Sequence, residues 1–342
     1  MAPVTVSVPA KLNLQLSVGP RRADGYHDLV TVFHAVSLYD TITVAAATVS
    51  PELGDTVTVT GEGATVVPQD GDNLAMRAVA ALRAAMPGTG EPVHVTIAKR
   101  IPVAAGLAGG SADAAAALVA CNELWNVGLS HQQLCEIAAD VGSDVAFAVL
   151  GGTVVGRGRG EELTAALVPS TQYHWVLAFA DGQLSTPDVY ATVDRLRRDS
   201  AAAKGSAAAK GSAAAKGSAA ATDAAAPELD AVLMAALRAG DPVRVGKALS
   251  NDLQPAALTL FPALRKTLTA GTDLGAVGAL VSGSGPTCMF LARNKERALA
   301  LAAALSGAGV CRSVATVAGP VHGAALVTGH PGQHGRPGQQ GR

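Results

Sequence analysis

The sequence predicts an α+β protein of two domains, and three observations carry that expectation. At 342 residues the chain is long enough for two ordinary domains, and 49% hydrophobic against 15% charged residues supplies substantial cores. Stretches with the alternating period of strands are interleaved with stretches of helical period. Several strand-like stretches follow one another as hairpin pairs, which favours α+β over a doubly wound parallel sheet.

Taken in order, VTVSV (4–8) and LNLQLSV (12–18) alternate as strands, and TVFHAVSLYDTITVAA (31–46) and TVTVTG (56–61) continue the pattern. Asn73 opens an alanine-rich helix that Pro87-Gly88 stops after about Met86. VHVTIAKRI (93–101) is a strand running straight into a glycine-rich loop. Ser111 is expected to cap a helix to about Trp125, and Ser130 another to about Val141. Gly142 ends that helix, SDVAF (143–147) begins a short one with Ser143 as its cap, and GGTVVGRG (151–158) returns to strand. The second half repeats the mixture: strand at 175–180, helix at 227–240, two strand pieces around a glycine turn at 279–292, helix at 295–309 and a closing strand at 313–319. The domains expected are 1–168 and 169–328, with a low-complexity insertion at 201–226 and a disordered tail at 329–342.

Composition narrows the function. With 26 Lys+Arg against 27 Asp+Glu there is no global field for nucleic acid or an anionic membrane, so any anion must be bound locally. Cys121, Cys135, Cys288 and Cys311 form no C-x-x-C pair, and buried free thiols are the plain reading. No apolar run approaches the ~20 residues that span a bilayer, and the opening MAPVTVSVPAKLNL does not read as a signal peptide. A cytoplasmic protein without nucleic-acid or membrane partners is expected, as monomer or homodimer. Residues 201–221 repeat AAAKGS and read as a flexible or frayed-helical insertion, natural or engineered, because each recurring glycine costs a helix about 1 kcal/mol.

The richest stretch is IPVAAGLAGGSADAAAALVACNELW (101–125). Its glycines permit close backbone approach, and the free N–H groups at a helix start bind phosphate oxygens. It has neither the G-K-[ST] of a Walker loop nor the G-x-G-x-x-G fingerprint. The competing reading is a glycine turn that packs a helix tightly on a strand. Ser111 offers a hydroxyl to phosphate or Mg²⁺.

Two further clusters, PAKLNLQLSVGPRRADGYHDL (9–29) and VSGSGPTCMF (281–290), complete a set of three motifs in order. The set resembles the galactokinase, homoserine kinase, mevalonate kinase and phosphomevalonate kinase (GHMP) superfamily. The R-x-D-G-Y-H segment narrows the resemblance to its 4-diphosphocytidyl-2-C-methyl-D-erythritol kinases. It covers about 1–200 and 227–325. It implies a GHMP-kinase-like fold with a ferredoxin-like C-terminal domain, ATP and Mg²⁺ as cofactors, and transfer of a phosphoryl group to a small-molecule hydroxyl. By the same resemblance Lys11 and Asp144 are the catalytic pair, Asp144 as general base and Lys11 as charge stabiliser. A helix-capping role for Asp144 is the alternative. Pro102, Val103, Ala104, Ala105, Gly106, Leu107, Ala108, Gly109, Gly110, Ser111 and Ala112 would hold the nucleotide. Asn13, Tyr26, His27, Tyr190, Gly283, Ser284 and Gly285 would meet the acceptor, Tyr26 by stacking on a base and His27 by pairing with it. For Tyr190 a place in a helix or over a strand competes with that role. Asp181, Thr186 and Phe33 are weaker acceptor candidates. The chain departs from the family pattern at Ala104, Ala105 and Ala108, where glycines are frequent. It departs again at Gln15, where an apolar residue is usual, and at Ala146, where proline is common.

Overall fold

The computed structural model describes residues 1–47, 54–169, 171–209 and 226–327. Its first half is organised by one long antiparallel hairpin, β1 (Val4–Arg21) and β2 (His27–Ala46). The two strands expected at 4–8 and 12–18 are therefore one. Pro9 does not interrupt it because the register shifts between Pro9 and Ala10, and a bulge is where a strand tolerates a residue without an N–H. β2 begins earlier than its alternation suggested, so Tyr26 and His27 sit where the hairpin returns.

β3 (Thr56–Gly61) matches its expected span and leads to α1 (Leu74–Ala85), capped by the Asn73 side chain accepting from Ala75 N. β4 (Val93–Lys99) pairs antiparallel with β2 and parallel with β3. α2 (Gly109–Leu124) is buried on nearly every side, and its alanines let it lie close to both the hairpin and α1. α3 (His131–Val141) starts with the expected Ser130, in a full capping box with Gln133. α4 (Ser143–Leu150) and β5 (Thr153–Arg157) follow, and β5 pairs with β2 and with β6 (Glu162–Ala165), whose charged sequence gave no strand signal.

The second half opens with β7 (Tyr173–Phe179) and then α5 (Thr186–Ala209). α5 was not foreseen, because Thr186-Pro187-Asp188 reads as a turn; proline is nonetheless compatible with a first helical turn. Its backbone continues through the first nine residues of the AAAKGS segment, and 210–225 lie outside the described residues, as does the tail at 329–342. α6 (Ala231–Ala239) is capped by Asp230, and α7 (Pro242–Ala248) by Asp241. The short strand β8 (Ser250–Asn251), α8 (Gln254–Leu260) and α9 (Leu264–Asp273) fill a region where no element was expected. β9 (Gly278–Val281), β10 (Cys288–Ala292), α10 (Lys295–Gly307), β11 (Ser313–Gly319) and β12 (Ala325–Leu326) complete the chain.

The second sheet runs β11-β7-β10-β9, all antiparallel, with helices between β7 and β9 and between β10 and β11. That is the β-α-β-β-α-β arrangement of a ferredoxin-like domain, as expected. Both β8 and β12 leave this half to pair with β1. Gln15 explains itself here. It is buried in β1, its Nε2 donates to Glu228 O (2.7 Å), and its Oε1 accepts from Asp230 N (3.0 Å). The amide thus fastens the segment leading into α6, which an apolar side chain would leave unpaired. No helix among the described residues is long and apolar enough to cross a membrane.

His34 of β2 lies fully buried between the two sheets, its ring 5.9 Å from those of Tyr173 and Trp175. Its Nδ1 shares a 2.9 Å hydrogen bond with Thr153 Oγ1. Burial pushes its pKa down to about 4, against a smaller opposing contribution from the Gly319 backbone. Unfolded chains take up a proton near the ordinary histidine value of about 6.5, and the folded chain resists until about 4. The His34 contribution to stability is therefore complete above 6.5 and falls away as pH drops towards 4. Urea unfolding at pH 7 and pH 5 should differ by about 2 kcal/mol from this group alone. In His34→Gln that part of the pH dependence should vanish; an unchanged slope would refute the assignment.

Candidate active site

A cavity of about 1090 Å³ opens between the two halves, lined by the hairpin, the glycine-rich loop, the start of α4, α5 and the β9–β10 turn. At its centre Lys11 Nζ lies 3.4 Å from Asp144 Oδ2. Lys11 comes from β1 and Asp144 from the first turn of α4, so the pair exists only because α4 packs beside the hairpin. Lys11 Nζ also donates to Asn13 Oδ1 (2.7 Å), two residues along the same strand face. Asn13 Nδ2 donates in turn to Thr31 Oγ1 (2.8 Å), which donates to Gln15 O (2.7 Å). This buried relay holds the ammonium in place. Phe33 lies below it, 5.3 Å from Nζ to ring centroid, and stacks on Phe147 at 4.8 Å.

The glycine-rich loop begins at Arg100 and delivers α2 with its N-terminus facing the cavity. Ser111 is not the cap: the helix starts at Gly109, and its N-cap is Ala108, in a left-handed conformation with no side-chain bond. Ser143 likewise lies inside α4, whose cap position is Gly142. Both hydroxyls remain on the cavity wall. Pro102 through Gly106 and Ala108 through Ser111 line the cavity. Leu107 and Ala112 are buried behind it, although Leu107 O accepts from Lys11 N (3.2 Å) and ties the loop to β1.

The turn between β9 and β10 closes the other side. Ser282 Oγ donates to Gly106 O (3.1 Å), and any side chain on Gly106 would run into the backbone of Ser282 and Gly285. Gly283 has φ +55, and a side chain there would crowd Gly106 O, Asn13 Oδ1 and Lys11 Nζ. Gly283 and Ser284 line the cavity, whereas Gly285 is buried behind them against Val281 and Leu184.

Ala104 and Ala108 hold φ angles of 51° and 57°, where an L side chain is strained. Glycine at 108 removes that strain but gains freedom when unfolded, so Ala108→Gly should raise stability by about 0.5–1 kcal/mol. A shifted urea midpoint at unchanged m-value is the check, and a midpoint that falls would contradict it.

Under the loop lies a buried charge cluster that sequence reading missed. Lys99 Nζ, at the end of β4, donates to Asp40 Oδ2 (2.5 Å) and to Asp113 Oδ2 (2.7 Å) in α2. Asp40 Oδ1 accepts from the N–H groups of Arg100 and Ile101. Burial opposes charge on Lys99, but Asp113 and Asp40 outweigh it and hold its pKa above the usual value. Burial drives the carboxyl of Asp113 well above its ordinary range, with Lys99 opposing, and its Oδ1 has no partner.

At the opposite end from the loop, Tyr26 stands exposed on the rim with the Arg159 guanidinium 5.4 Å from its ring. His27 is buried beside it, its ring 5.1 Å from Tyr190, and its Nε2 is 2.9 Å from Asp194 Oδ1. Tyr190 lies in α5, and burial and then the charge of Asp144 push its phenol far up, so it stays neutral. Thr186 reaches the site through its hydroxyl, 2.9 Å from Ser284 Oγ, while Asp181 is exposed and does not line the cavity. A further wall made by Val66, Pro68, Asn73 and Leu74 was not read from sequence, since 62–72 has no periodicity.

The GHMP kinases N terminal domain model matches residues 73–152, and the GHMP kinases C terminal model matches 233–311. A 4-diphosphocytidyl-2-C-methyl-D-erythritol kinase of Thermobifida fusca is 52% identical over 95% of this chain and 98% of its own length. The protein of that name from Mycolicibacterium smegmatis is 51% identical over 95% of this chain and 92% of its own. Among solved structures, a 4-(cytidine 5'-diphospho)-2C-methyl-D-erythritol kinase superposes with a TM-score of 0.67 at 30% identity, covering 95% of this chain and all of that one. A homoserine kinase from Cytophaga hutchinsonii reaches the same TM-score at 18% identity, covering 96% of this chain and 98% of that one, a likeness of fold.

Proposed function

Since the chain belongs to the GHMP kinases, in the family of 4-diphosphocytidyl-2-C-methyl-D-erythritol kinases, we propose that it phosphorylates that acceptor. The γ-phosphoryl group of ATP passes to the 2-hydroxyl, a step of isoprenoid precursor synthesis in the cytoplasm. The observation that carries this is the Lys11–Asp144 pair, 3.4 Å apart in a cavity with the helix-N-terminal loop on one side and Tyr26 and His27 on another.

In this reading the triphosphate lies along Ala104–Ser111, on free N–H groups at the start of α2. Asp144 accepts the proton of the acceptor hydroxyl as it attacks, and Lys11 balances charge on the transferring group. The Lys11–Asn13–Thr31 relay keeps the ammonium aimed at that point. Tyr26 and Tyr190 offer flat faces to the base, and His27 pairs with its edge. The Ser111 hydroxyl on the cavity wall would be the protein's ligand for a magnesium ion, which would supply charge neutralisation on the transferred group. Two free carboxylates for the ion are absent from the loop. Among the described residues no group of three His, Cys, Asp or Glu side chains gathers there.

An ADP-release assay across methylerythritol, homoserine and mevalonate-type acceptors tests the assignment. Turnover is expected only with the cytidine-bearing acceptor. In Tyr26→Ala the KM for that acceptor should rise about tenfold, as lost stacking of 1–3 kcal/mol implies, while the KM for ATP stays put. Equal changes in both would remove Tyr26 from the base pocket.

A further inference from the structure

Tyr190, Asp194 and Arg197 recur at intervals of four and three along α5 and so share one face of the helix. That face lies against the end of the hairpin. Arg197 Nη1 donates to Gly19 O (2.8 Å) and Nη2 to Val18 O (2.6 Å), which pins α5 to β1 one turn beyond Asp194. Asp194 itself reaches His27, 167 residues away in sequence, at 2.9 Å. The imidazole is nearly buried, lines the cavity and has Tyr190 against its ring.

A histidine held this way has little choice of tautomer. A carboxylate only accepts hydrogen bonds, so the nitrogen facing it, Nε2, carries the hydrogen. In that tautomer Nδ1 keeps its lone pair and offers an acceptor to a ligand in the cavity that His27 lines. Cytosine presents an amino N4–H₂ at its pairing edge; uracil presents a carbonyl oxygen at the same place. An acceptor on the protein attracts the first and repels the second.

We infer that Asp194 is a positioning residue that sets base specificity: by fixing His27 as the Nε2–H tautomer, it makes the acceptor pocket take cytosine and reject uracil. The inference rests on the acceptor proposed above. It adds that discrimination at the base is held by a carboxylate on α5 which need not itself touch the base. Such a polar pairing is worth far more to selectivity than shape alone, because the wrong base leaves buried groups unpaired.

The test compares kcat/KM for the 4-diphosphocytidyl acceptor and its 4-diphosphouridyl analogue in wild type, Asp194→Asn and Asp194→Ala. Wild type is expected to prefer the cytidyl acceptor by at least a hundredfold. Both variants should lose at least tenfold of that preference, chiefly through a higher KM for the cytidyl acceptor. The KM for ATP should remain within twofold. Asparagine can also donate to Nε2 and reverse the tautomer, so its uridyl activity should rise above that of the alanine variant. A preference that stays unchanged in both variants overturns the inference, even if turnover of both acceptors falls together, because that is what a merely structural residue would do. Failure of wild type to use the cytidyl acceptor at all would instead overturn the proposed function, and this inference with it.

Discussion

Asp144→Asn is expected to lower kcat by about 10²–10⁴-fold while the affinity for ATP is unchanged. The substitution keeps the size of the side chain and so the shape of the cavity, but a carboxamide cannot accept the proton of the acceptor hydroxyl. Lys11 does not swing away in response, because Asn13 Oδ1 still accepts from it at 2.7 Å. Nor does the nucleotide site lose a partner, since α2 and its loop stand on separate contacts to β1 and to the β9–β10 turn. Steady-state kinetics at saturating ATP, with calorimetry for ATP binding, separates the two quantities. A kcat within threefold of wild type would take Asp144 out of the chemistry and leave it as a first-turn helix residue.

The largest loss of stability is expected at a residue outside the cavity lining. Asp40→Ala removes one carboxylate from Lys99 and the acceptor from two backbone N–H groups at the root of the glycine-rich loop. Breaking one side of a buried ion pair costs about 3–5 kcal/mol, because the remaining charge stays in a poorly solvating interior. Asp113 keeps its own bond to Lys99 at 2.7 Å, but it cannot replace the acceptor lost by Arg100 and Ile101, and burial opposes charge on its carboxyl. Lys99→Met added to Asp40→Ala should recover part of the loss, since it removes the stranded cation. Urea unfolding of the single and double variants measures both statements. A loss below 1 kcal/mol in Asp40→Ala, or a double variant less stable than the single, would show that the cluster is not an ion pair of this kind.

These two residues also mark what local sequence can place and where it stops. Asp144, Lys11 and Asn13 sit in short motifs whose spacing already implies a shared strand face or a helix start, and the structure brings all three together. The ferredoxin-like second sheet followed from the resemblance, and its strands at 279–292 and 313–319 were visible as alternation. Asp40 and Lys99 are 59 residues apart and meet only because β2 pairs with β4, a register no local pattern reveals. Asp194 was hidden twice, by a helix whose opening reads as a turn and by a partner in the distant hairpin. The serine caps failed for a different reason. Ser111 and Ser143 have the right chemistry, but Ala108 and Gly142 reach the cap positions first, and this leaves both hydroxyls on the cavity wall. Gln15 looked anomalous only because its partners, Glu228 and Asp230, lie on the far side of the AAAKGS segment.

The two short strands that return to β1 bear on how the polypeptide matures. One flank of β1 is covered by β2 almost at once, but the other waits for Ser250–Asn251 and finally for Ala325–Leu326. A ribosome releasing the N-terminus first thus exposes an open β edge for nearly the whole of translation, a template for unwanted pairing. Truncation before residue 325 would reopen that edge at Val6 and Ser7.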